Sequence, residues 1–153
     1  MSRRKKRTVP LPDVEATRRA AHELAAGLGP GAVIALVGPL GAGKTTFVKA
    51  VAEALGVDPD AVTSPTFIRH QIHRGRLTLH HLDLYRVADA SEFHRLALDE
   101  WLDTGGVTLI EWADRAMEAL PSHTVTVELA YADEGRSRIL TITEAPPRAP
   151  SGS

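Results

Sequence analysis

A chain of 153 residues has the length of one domain and can bury a sizeable core; its 43% apolar and 24% charged residues are ordinary for a globular protein. No run approaches the roughly 18 continuous apolar residues of a membrane span, and with no cysteine the sequence has no disulfide or thiolate chemistry. A formal net charge of −1 gives no global attraction to nucleic acid, so the expectation is a cytoplasmic protein with neither a membrane nor a DNA partner.

The chain opens with Arg3, Arg4, Lys5, Lys6 and Arg7, and no apolar segment follows, which is not the pattern of a secretory signal. Residues 1–10 read as a flexible basic start, with contact to RNA or another polyanion as the alternative. Residues 13–27 read as a helix started by Pro12 and Asp13, with Val14, Ala21, Leu24 and Ala25 near helical spacing. Residues 33–37 are an apolar run of the kind buried on both faces of a sheet. After a glycine-rich loop, residues 44–55 read as a second helix, stopped by Gly56.

Residues 66–71 and 77–82 read as strands around the turn at Arg74-Gly75, and Ser91 starts a short helix running towards Trp101. His80 and His81, adjacent on a strand, face opposite ways and cannot readily share one ion, so both are read as structural. Residues 107–110 form another apolar strand closed by Glu111. Residues 125–131 and 137–143 form a hairpin around Asp133-Glu134-Gly135. Strands alternating with helices over the first two thirds predict an α/β sandwich of three layers, with a mainly parallel central sheet and antiparallel edge strands. The expected domain covers residues 11–144, and the Pro- and Ser-rich residues 145–153 read as a disordered tail.

Gly38-Pro-Leu-Gly-Ala-Gly-Lys44-Thr45 matches the phosphate-loop pattern G-x-x-x-x-G-K-[ST] in full. Chance yields it in a chain this long at about the 0.5% level, and the preceding strand and following helix reduce the odds further. In such a loop the backbone N–H groups of Leu40, Gly41, Ala42 and Gly43 cradle phosphate oxygens, aided by the positive end of the helix. Lys44 places a charge on the β and γ phosphates, Thr45 ligates Mg²⁺, and Thr46 donates to the α phosphate. ATP and Mg²⁺ are the implied ligands. A magnesium site also needs an acid at the carboxyl end of a neighbouring strand, where Asp83 and Glu111 both qualify; Glu111 can alternatively polarise the attacking water. Thr63-Ser64-Pro65-Thr66 suits a segment that senses the γ-phosphate, or equally a turn shaped by proline.

No Asn-Lys-x-Asp motif marks a GTPase, and no Ser-Gly-Gly marks a transporter ATPase. The loop is similar to the start of shikimate kinases, but Asp58-Pro-Asp60 and Thr104-Gly105-Gly106 are misplaced for that family, and its arginine-rich lid is missing. Ser-Pro-Thr-Phe at 64–67, His-Leu-Asp-Leu-Tyr-Arg at 81–86 and Ile-Glu-Trp at 110–112, following this loop, resemble the bacterial TsaE (YjeE) family from about residue 13 to 143. The resemblance implies a P-loop NTPase-like ATPase that works with TsaD and TsaB homologues, and through them on tRNA, in making threonylcarbamoyladenosine beside the anticodon of ANN-decoding tRNAs. It implies nucleotide and Mg²⁺ roles for Lys44 and Thr45, a switch-like place for Thr66, and metal and water support from Asp83 and Glu111. Trp112 and the Tyr85-Arg86 pair would shape the site or a partner surface. Residues 92–101 depart from the acidic Glu-Leu-Gly-type helix commoner in that family. A small-molecule kinase and a nucleotide-gated binding module are the alternatives.

Overall fold

The computed structural model describes residues 5–39, 41–62, 70–103 and 105–144. Its elements are strand β1 (Lys5–Leu11), helix α1 (Val14–Ala26), β2 (Val33–Val37), α2 (Lys44–Ala54), β3 (His70–His73), β4 (Leu79–Asp83), α3 (Ala90–Arg95), β5 (Val107–Glu111), β6 (Val125–Ala132) and β7 (Ser137–Glu144). Short 3₁₀ segments lie between several of them. Among the described residues, the seven strands form one sheet in the order β1-β7-β6-β2-β5-β4-β3. Its centre, β6-β2-β5-β4, is parallel, while β7, β1 and β3 pair antiparallel at the two edges.

Local chemistry sets the boundaries. Asp13 caps α1, its carboxylate accepting from the Ala16 amide at 2.8 Å. The helix α3 is capped by Asp89 rather than by Ser91, with Asp89 accepting from the Glu92 amide at 2.9 Å. Along β2, Ile34 and Leu36 face α1 and α2 while Val33 and Ala35 face the opposite layer, so the strand is apolar throughout. The first layer packs Ala21, Leu24, Phe47 and Val51 of the two helices on Leu109, Val127 and Leu140 of the sheet. The other layer packs Leu84, Phe93, Leu98 and Ala113 on Leu82 and Ile110. These are the three layers expected from the strand–helix alternation.

One expectation fails at the N-terminus. From Lys5 the chain is not a flexible arm but the edge strand β1, paired with β7 from Lys5↔Glu144 to Leu11↔Arg138. The basic residues are exposed, as solvated charges should be, while Leu11 is buried in the core and Val9 packs against it. Pro10 is tolerated because an edge strand has a free side on which a missing N–H does no harm. Among the described residues, no helix is long and apolar enough to cross a membrane.

Candidate nucleotide site

The glycine loop leaves the end of β2 and enters α2 at Lys44, between the parallel neighbours β5 and β6. This is the crevice beyond the carboxyl ends of the strands, where open α/β sheets bind ligands. A Cβ on Gly38 would lie 2.5 Å from the Leu129 carbonyl oxygen, so the loop begins pressed against β6. Gly41 has φ +77°, and a Cβ there would meet the Tyr131 hydroxyl at 2.6 Å. Arg138 lies over the Tyr131 ring, 4.5 Å from its centroid, and donates to the Gly41 carbonyl at 3.2 Å. The β6–β7 hairpin therefore braces the loop from outside. Gly43 caps α2 without a side-chain bond, and the first turn carries no acid, so its amides and positive dipole end face the loop unopposed.

Lys44 is buried, its ammonium donating to the Gly38 carbonyl at 2.6 Å and lying 3.6 Å from the centroid of the Trp112 ring. Burial lowers its pKa, and the charges of Glu111, Asp83 and Asp114 act against that shift. Asp83 and Glu111 are register partners at the ends of β4 and β5, and both are buried. Burial raises the Asp83 pKa, helped by Glu111, while the Tyr85 amide bound to Oδ1 at 2.8 Å, His81 and Lys44 hold it down. Glu111 Oε2 takes a 2.6 Å hydrogen bond from His81 Nε2. Trp112 follows in the left-handed region at φ 56°, a conformation that costs energy in a non-glycine residue. Its indole meets Tyr85 at 5.0 Å between centroids, and Arg115 stands 6.0 Å from the Tyr85 ring.

The fold thus brings Lys44, Asp83, Glu111 and Trp112 to one crevice, with Tyr85 at its rim. Thr45 is exposed and Thr46 half-buried in the first turn of α2; Ala42 is buried beneath the loop. Leu40 and Thr66, with the whole 63–69 segment, lie outside the described residues. Arg86 is exposed beside Tyr85. His81, read from the sequence as structural, makes a hydrogen bond to Glu111 at this crevice. The signal was present in the alternation of β4, which puts His81 and Asp83, two residues apart, on one face. His80 faces the other way and stacks with His70 and Trp101. Asp114, Tyr131 and Arg138 carried no sequence signal, since only the parallel placement of β6 and the turn after Trp112 bring them near the loop.

The residues suit a magnesium nucleotide. Among the described residues no group of three or more His, Cys, Asp or Glu is arranged to hold an ion. A cation here would rest on Thr45, one or two carboxylates, phosphate oxygens and water, which is how Mg²⁺ is usually held beside nucleotides. A cleft of about 460 Å³ opens next to the loop, lined by Gly38, Pro39, Trp112, Asp114, Glu128 and Leu129.

The family model described as "Threonylcarbamoyl adenosine biosynthesis protein TsaE" matches residues 11–139. The chain belongs to the TsaE family. The protein named tRNA threonylcarbamoyladenosine biosynthesis protein TsaE in Bacillus subtilis is 43% identical over 126 residues, covering 82% of this chain and 78% of its own. Its namesake in Treponema pallidum is 42% identical over 109 residues, covering 71% and 80%. The crystal structure of Bacillus subtilis YdiB superposes with a TM-score of 0.77 at 33% identity, over 95% of this chain and 90% of that one. Membership of the TsaE family extends across α1, the glycine loop, Asp83, Glu111 and most of the bracing hairpin.

Proposed function

We propose that this TsaE-family chain binds ATP with Mg²⁺ in the crevice and hydrolyses it to ADP and phosphate. In doing so it supports TsaD and TsaB homologues as they form N6-threonylcarbamoyladenosine beside the anticodon of ANN-decoding tRNAs. The coarse role, in threonylcarbamoyladenosine biosynthesis, comes with the family. The ATPase reading rests on one observation: Lys44, Asp83 and Glu111 converge, buried, on a glycine loop at the carboxyl ends of parallel strands.

In this reading Lys44 exchanges its Gly38 and Trp112 contacts for the β and γ phosphates, and the α2 amides hold the remaining oxygens. Thr45 and Asp83 would hold the metal, directly or through water. Bound Mg²⁺ would neutralise charge that builds up on the phosphoryl oxygens. Glu111 orients a water opposite the scissile bond and takes up its proton as the water oxygen bonds to the γ-phosphorus, the P–O bond to ADP breaks, and inorganic phosphate leaves. Trp112 and Tyr85 form an aromatic rim against which a partner protein can close the site.

Steady-state ATP turnover, measured alone and with TsaD and TsaB homologues, tests this reading. A weak basal rate that rises with the partners is expected, with free phosphate as the product. Partners that neither bind nor change turnover would remove the assignment, and phosphate appearing on an organic acceptor would replace it with a kinase. Partner binding that follows ATP while Glu111→Ala leaves hydrolysis unaffected would leave a nucleotide-gated binding module.

A further inference from the structure

We infer that His81 is a positioning residue for Glu111, fixing the direction in which that carboxylate presents its second oxygen to the phosphate loop. The inference rests on the ATPase reading above and adds a residue whose role was not assigned there.

The geometry is specific. His81 pairs in register with Leu109, and Glu111 lies two residues further along β5 on the same face, so the imidazole reaches diagonally along the sheet to meet it. The 2.6 Å distance is short, and both side chains are nearly inaccessible, at 1% and 8% exposure. A hydrogen bond to a charged acceptor in such surroundings is stronger than one in water. Occupying Oε2 removes the carboxylate's freedom to rotate about its last bond and leaves Oε1 pointing in one direction.

The other ring nitrogen argues that this contact is what the histidine is for. Nδ1 is buried with no partner among the described residues. An orphaned buried nitrogen is a cost to folding that an apolar side chain would avoid. Leu79 and Leu109, fully buried neighbours on the same face, show that the layer accepts apolar groups readily. The ring has one hydrogen bond to make, and it makes it to Glu111. With Nε2 as the donor, Nδ1 carries the lone pair, the tautomer that leaves no N–H unmet.

The test compares His81→Gln, whose amide can still donate to Glu111, with His81→Leu, which fills the space without a donor. In the full chain, His81→Leu should lower kcat about 10- to 100-fold, the usual range for a residue that orients a catalytic group. KM for ATP and affinity for ADP should stay within about threefold, and His81→Gln should recover most of the rate. Equal losses in both variants, an unchanged kcat in His81→Leu, or a rise in KM with kcat intact would each overturn the inference. The nitrogen resonances of His81 give a readout independent of turnover. They should report a protonated Nε2 and a bare Nδ1, with Nε2 shifting in Glu111→Ala. An unprotonated Nε2, or no response to Glu111→Ala, contradicts the tether even in a protein that hydrolyses nothing. Absent wild-type turnover, by contrast, counts against the ATPase reading alone.

Discussion

Lys44 sits buried between the Gly38 carbonyl and the Trp112 ring, with three carboxylates near enough to favour its charge. Burial lowers its pKa, the carboxylates oppose that shift, and the Gly38 and Trp112 contacts hold the ammonium against the loop. Replacing it removes a charge-assisted contact, so Lys44→Ala should weaken ATP binding roughly 100-fold with little change in the melting temperature. Calorimetric titration with ATP and Mg²⁺ checks this; affinity within a few-fold of the wild type would take the nucleotide away from this loop. The sequence placed Lys44, Asp83 and Glu111 at one crevice, because the phosphate-loop pattern is rare and an acid ending an apolar strand has a definite place. It hid His81, whose neighbour His80 faces the other side of the sheet and stacks with His70 and Trp101.

Among the elements, α1, β2 and α2 were readable to within a residue or two, since their caps and apolar periods are local. The edge strand β1 was not. Five basic residues in a row look solvated, and its partner β7 comes some 130 residues later, so nothing local announces the pairing. If the strand is part of the fold, Leu11→Ala should destabilise the protein by about 2–5 kcal/mol, as for other buried leucines. A loose arm would show about 0.5 kcal/mol or less in urea unfolding. The hairpin's grip on the glycine loop makes a second prediction. Gly41→Ala forces a side chain into a left-handed position and against the Tyr131 hydroxyl, so ATP affinity should fall about tenfold. Adding Tyr131→Ala should restore part of that loss in the same titration. If it restores none, the strain lies in the backbone alone and the brace is not responsible.

At the scale of the whole molecule, the layer opposite α1 and α2 ends in a cluster of histidines around Trp101. His70 lies 4.0 Å from Trp101 between ring centroids and 3.2 Å from His80 between ring nitrogens. Burial, then the neighbouring His80 and His81, pushes its pKa down to about 4. His80 and His73 are lowered as well, mainly by burial. Such groups favour the folded state above the ordinary histidine value of about 6.5. As the pH falls from there towards 4, the unfolded chain takes up protons that the native chain refuses, so stability should drop across that window. Asp83, raised by burial, works in the opposite direction and blunts the drop. Urea midpoints at pH 7.5, 6 and 5 should decline, and His70→Gln should flatten the decline; a flat or rising series in the wild type would contradict this account. The three-layer fold followed from the order of strands and helices, but the closeness of the hairpin to the glycine loop depends on β6 lying beside β2, which no short segment encodes. The proposed nucleotide cycle at this loop would support tRNA modification. The most direct test is the yield of threonylcarbamoyladenosine on an ANN-decoding tRNA, in a reconstitution with TsaD and TsaB homologues, ATP and Mg²⁺. Wild-type protein should sustain repeated rounds and Lys44→Ala should fall to the level without added protein; equal yields from the two would contradict the account.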